Sequence, residues 1–168
     1  MRRLAVVGAI AAILGFAGSA DAQTAQLTLE SVFGQPATAL AIAFGAIDVD
    51  CIAPPAAGVT CTQAAGGASA TWYGTIRLTV RVTRFGGNRV RLVGTRQAAG
   101  TMPAGALRDG AAGNVPTAVY PIDPSSLTLA SAIGSGVSMI NRAIGIRLTP
   151  ADASGVWSTP VVYSLIVE

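Results

Sequence analysis

The residue types that ordinarily carry chemistry are thinly supplied in this chain. It has no His and no Lys, so all eleven of its positive charges are arginines. Without imidazole the usual general base and the common serine and cysteine triads are gone, and no G-x-S-x-G elbow replaces them. Without Lys a G-x-x-x-x-G-K-[ST] phosphate loop is impossible, and no G-x-G-x-x-G run occurs. Paired carboxylates can run a glycosidase, but Glu30, Asp48, Asp50, Asp109, Asp123, Asp152 and Glu168 are scattered with no evident pair. Asp48 and Asp50 in DVD offer two oxygen donors where calcium needs six or more, and they read as solvated acids on a strand face. The expectation is a protein that is not an enzyme and needs no cofactor or metal.

Cys51 and Cys61 flank the loop CIAPPAAGVTC. In an oxidising compartment the pair most simply forms one disulfide, free thiols being the alternative, and closing such a loop stabilises by about 2 to 3 kcal/mol. Two thiolates without His make a poor zinc site. Arg77, Arg81, Arg89 and Arg91 alternate with apolar residues along TWYGTIRLTVRVTR and the following RVRL. Placed on two arms of a hairpin, they form a basic stripe on its non-core face. That stripe is either a solubilising face or a binding surface for an anionic ligand or glycan. Trp72, Trp157 and Tyr163 share parity with the apolar set of their strands and are assigned to the core.

These residues must be positioned by strands, because the dominant apolar period is two. Trp72, Ile76, Leu78, Val80 and Val82 share one side of the clearest run, and Gly86-Gly87-Asn88 supplies turn residues before Val90 and Leu92 resume the pattern. The first apolar stretches are QLTLESVF and ATALAIAFGAIDVDC, and in the second the apolar phase flips across Gly45-Ala46, which predicts a bulge or corner. Residues 98–114 read as an irregular Gly-, Ala- and Pro-rich excursion with one short strand or turn in it. Short strands follow at Thr117–Tyr120, Leu127–Leu129, Val137–Ile140 and Ile144–Leu148, and the last runs to Glu168. Eight to ten short strands without an amphipathic helix predict an all-β, antiparallel β-sandwich, a small barrel being the alternative.

The N-terminus, MRRLAVVGAIAAILGFAGSADA, has a basic start, an apolar run and a small-x-small end, the layout of an export signal. Cleavage after Ala22 divides the chain into a signal at 1–22 and one domain at 23–168, with nine arginines against seven acids. A net charge near +2 does not point to nucleic acid. Every later apolar run is interrupted, so no membrane span is expected and the location is secreted, periplasmic or cell-surface.

The stretch GVWSTPVVYSLIVE, opened by Gly155 and holding a final alternating strand, together with LAIAFGAIDVDC, resembles secreted bacterial fimbrial subunits and spore-coat-U-like proteins. It departs from the fimbrial pattern in having Val167 rather than an aromatic at the penultimate position, and in the close spacing of its cysteines. The resemblance implies an incomplete immunoglobulin-like sandwich completed by a strand from a chaperone or a neighbouring subunit. The expected function is then a structural or adhesive fimbrial-type subunit that self-associates or pairs strands with a like subunit. The alternative is a binding module for an anionic ligand through the arginine-rich face. Val162 and Ile166, on the mixed second side of the last strand, are the candidate assembly residues, and QTAQLTLESVF is a candidate donor strand.

Overall fold

Strict alternation over Trp72–Val82 makes a strand that runs from Ala70 to Thr83, and its length lets it organise half the molecule. The computed structural model describes residues 24–30, 42–83 and 87–168; the export signal read at 1–22 lies outside them. In chain order the strands are β1 (Thr24–Glu30), β2 (Thr60–Gln63), β3 (Ala70–Thr83), β4 (Val90–Arg96), β5 (Leu107–Ala111), β6 (Ala118–Val119), β7 (Leu127–Ile133), β8 (Gly136–Leu148) and β9 (Val161–Val167). They form two antiparallel sheets, a six-stranded one ordered β1-β3-β8-β5-β6 and a three-stranded one ordered β7-β4-β9. The remaining member, β2, pairs with the first residues of β3, while β1 pairs with the last. The fold is therefore all-β and sandwich-like, as the period-two pattern predicts.

The core lies between the sheets. From β3 it takes Trp72, Ile76, Leu78, Val80 and Val82, from β4 Val90 and Leu92, from β8 Ile144, Ile146 and Leu148, and from β9 Val161 and Tyr163. Each aliphatic side chain so buried stabilises by roughly 1.5 to 3 kcal/mol. Trp157 is also buried, so Trp72, Trp157 and Tyr163 all take the core positions that their parity assigns.

The hairpin expected across residues 72–92 does not form. β3 pairs with β1 and β2 on one edge and with β8 on the other, and β4 pairs with β7 and β9. With both edges of β3 occupied, β4 has no place beside it, and the chain crosses to the opposite sheet instead. Alternation and turn residues are the same for either path, so the pattern cannot separate them. Of the expected turn Gly86-Gly87-Asn88, Gly86 lies outside the described residues.

The segment before β2 is irregular rather than a strand, yet its phase flip is real. Ile42, Phe44 and Ile47 are all buried, and Gly45 between them has φ +75°, a conformation open to glycine. Asp48 then closes the turn: its Oδ1 accepts the N–H groups of Asp50 (2.8 Å) and Ile52 (3.0 Å), and its Oδ2 that of Ala53. The Trp72 indole N–H donates to the Asp48 carbonyl at 2.7 Å, fixing the turn to β3. Cys51 and Cys61 are joined by a disulfide with Cα atoms 5.7 Å apart.

Residues 98–106 are held against the approach to β9. Thr101 and Met102 donate backbone N–H groups to Ser158 O at 2.9 and 3.2 Å. A Cβ on Gly100, whose φ is +120°, would stand 2.3 Å from the same oxygen, so only glycine fits there.

Candidate functional site

Among the described residues β9 is an edge strand, and the register shows which of its backbone groups are spare. Arg89 and Glu168 exchange both hydrogen bonds, N–H to O at 3.5 and 2.8 Å, and Gln97 donates to Pro160 O at 3.0 Å. In an antiparallel ladder bonded pairs recur every second residue. The even-numbered residues of β9 therefore face β4, and Val161, Tyr163, Leu165 and Val167 turn their N–H and C=O groups to the open side. No strand pairs with that side among the described residues.

The same odd-numbered residues point their side chains at the core. Val161 and Tyr163 are fully buried, Leu165 is half-buried and Val167 is 44 % exposed. The sandwich is shut at the start of β9 and open at its end. On the outer face Val162 is half-buried and Ile166 is 38 % exposed, so the candidate assembly residues differ in their cover. Some Cα atoms of β1 come within 8 Å of β9 without pairing to it. The candidate donor segment is thus engaged in its own sheet: Thr24–Glu30 pairs along β3.

Beneath the edge lies a buried polar cluster that sequence reasoning missed. Asp109, on β5, is 0 % exposed and forms an ion pair with Arg142, on β8. Arg142 Nε donates to Asp109 Oδ1 at 3.3 Å, and its Nη2 to Oδ2. The Tyr120 hydroxyl lies 3.5 Å from Asp109 Oδ1 and 3.4 Å from the Tyr163 hydroxyl, so the chain of contacts reaches from one sheet to the other. Gly94 makes room for it, since a Cβ there would stand 2.8 Å from the Tyr120 ring. Burial raises the Asp109 carboxyl above its ordinary value even against Arg142, and it raises both tyrosines. The hydrogen bond to Asp109 raises Arg142. With a single carboxylate closed off from solvent, the cluster serves as a strut between the sheets.

A second buried cation, Arg96 on β4, has no carboxylate partner among the described residues. Its Nε donates to Thr159 Oγ1 at 3.0 Å, its Nη1 to Pro103 O at 2.8 Å and its Nη2 to Met102 O. Burial alone lowers its pKa. This residue ties the 98–106 excursion to the start of β9.

The four arginines expected in one stripe are divided between the sheets. Arg77 and Arg81 are on β3, both exposed, and Arg77 Nε donates to Asn141 Oδ1 at 3.3 Å. Arg91 is on β4, where Nε lies 3.4 Å from Glu168 Oε1, and Arg89 immediately precedes that strand. The stripe needed a hairpin, and the crossing between sheets removes it. Asp48 is likewise committed: burial pushes its carboxyl up, but the amides of Ile52, Ala53, Asp50 and Cys51 outweigh this and hold it low. Among the described residues no helix is long and apolar enough to cross a membrane. The disulfide fits an oxidising compartment. No family model matches the chain, and no curated protein or solved structure matches it.

Proposed function

We propose that this protein is an exported, non-catalytic structural or adhesive subunit of immunoglobulin-like type, which assembles by accepting a strand from a like subunit along β9. The observation that carries the reading is the edge at Val161, Tyr163, Leu165 and Val167, unpaired among the described residues and directly over a core that becomes exposed toward its end. Strand addition to such an edge supplies main-chain hydrogen bonds, with pockets for alternate side chains.

The strand order supports it. An immunoglobulin sandwich sets A-B-E-D against C-F-G. Here β1-β3-β8-β5 follows the first order and β4-β9 the first two members of the second. The position of G, beyond β9, is taken by no strand among the described residues.

The test is the association state of residues 23–168 measured by sedimentation from about 1 to 500 μM. Val167→Pro removes one edge-facing N–H without touching the ladder to β4. Assembly that weakens at least tenfold in this variant, with an unchanged unfolding midpoint, is the expected result. A monomer throughout the range would overturn the reading.

A further inference from the structure

The outer face of the six-stranded sheet carries a pair of arginines that the stripe did not include. Arg147 N–H donates to Ala106 O at 2.8 Å, so these residues stand opposite each other and Arg108 is the next outward position on β5. Leu107 and Asp109, with Ile146 and Leu148, take the inward positions. The two guanidinium groups therefore share one side of adjacent strands. They line a shallow recess of about 190 Å³ together with Gly105, Thr149 and Asp152.

We propose that this recess binds a single oxyanionic group between Arg108 and Arg147. The recess is roomy enough for a carboxylate, sulfate or phosphate group. Arg108 is oriented by its Nη1, which donates to Thr117 O at 3.0 Å, while its Nε is buried with no hydrogen-bond partner. Arg147 forms no ion pair among the described residues. Asp152 also lines the recess but forms no ion pair with either arginine among the described residues. Its Oδ2 instead accepts the Thr149 N–H at 2.6 Å and the Thr149 hydroxyl at 2.9 Å, closing the turn after β8.

Elsewhere Arg142 has Asp109 and Arg91 has Glu168. Here two like charges share one recess and neither forms an ion pair with a carboxylate among the described residues, and burial with the Arg147 charge lowers the pKa of Arg108. An oxyanion is the complement that relieves both costs, since guanidinium forks match its geometry. The group can arrive as a free inorganic ion or as part of an acidic glycan. This site does not depend on strand pairing at β9 and is tested separately.

The experiment is calorimetric titration of the mature protein with inorganic phosphate and, separately, with an oligogalacturonate, at constant ionic strength. Saturable one-to-one binding is expected with at least one probe, weakened tenfold or more in Arg147→Gln and in Arg108→Gln. Binding of phosphate identifies a free ion, and binding of oligogalacturonate alone identifies a group carried on a glycan. Arg147→Gln should also leave the unfolding midpoint within about 2 °C, because the Arg147 side chain forms no ion pair among the described residues and its backbone bond to Ala106 is kept. Absence of saturable binding to either probe, or equal affinity in Arg147→Gln, would overturn the assignment.

Discussion

Arg96 and Arg142 both turn toward the interior of the sandwich, and they are compensated in different ways. Arg142 faces a carboxylate, Asp109, across two strands of one sheet, and through Tyr120 and Tyr163 the pair reaches the other sheet. Among the described residues Arg96 faces only neutral oxygens, from Thr159, Pro103 and Met102, all of them on irregular chain. Counter-charge locks regular elements together; carbonyl dipoles let a cation gather loops. The first arrangement fails badly when one member is lost, and the second loses its parts more gradually.

The sharpest way to break the contrast is Asp109→Ala, which strands the Arg142 charge. Loss of one member of a buried pair costs 3 to 5 kcal/mol. Because the Arg142 side chain keeps 20 % exposure, the lower end applies, about 3 kcal/mol. For a chain of this size that is a fall of roughly 10 °C in the unfolding midpoint, readable by calorimetry. Arg96→Met should cost less, about 2 kcal/mol by urea unfolding, since it leaves neutral acceptors unsatisfied rather than a charge. It should also make residues 98–106 the first site of limited proteolysis. The double replacement Asp109→Leu with Arg142→Leu should cost about 1 kcal/mol or less, because an apolar pair replaces the ionic one whole. A double variant as unstable as Asp109→Ala would show that the tyrosine hydroxyls, not the charge pair, carry the strut.

The smallest effect is in the pH profile, where two acids pull in opposite directions. Asp48 is held low by amide donors, so its contribution is present above the ordinary carboxylate value near 4 and is lost as pH falls through its folded value. Asp109 is held high by burial, so its ionisation opposes folding, and acidification through its folded value favours the native state. Midpoints measured from about pH 2.5 to 7 should therefore fall less steeply below pH 4 in Asp48→Asn. In Asp109→Asn the opposing rise should vanish.

Both interior arginines were legible in part. Arg142 shares parity with Ile144, Ile146 and Leu148, and Arg96 with Val90 and Leu92, so alternation alone marks each as inward-facing. Their partners were not legible. Asp109 sits in a Gly- and Ala-rich stretch whose one regular strand, β5, is only five residues long, and Thr159 lies before β9 begins. The strand content, the tryptophan positions and the Cys51–Cys61 bridge follow from local pattern and pairing arithmetic. Which strands become neighbours depends on edge occupancy across the whole sheet. The β3-to-β4 crossing and the division of Arg77 and Arg81 from Arg89 and Arg91 follow from that.

The way β2 and β1 share one edge of β3 has a kinetic side. The half of that edge beside β2 adjoins the loop closed by the disulfide, and the half beside β1 is bonded to a segment outside that loop. Local opening then has two separate thresholds along a single strand. Native-state amide exchange should show the β3 amides that face β1 exchanging well before those that face β2. The protein thus carries a peelable margin next to a fixed one, and lifting β1 bares fresh edge on β3 while freeing a strand of its own.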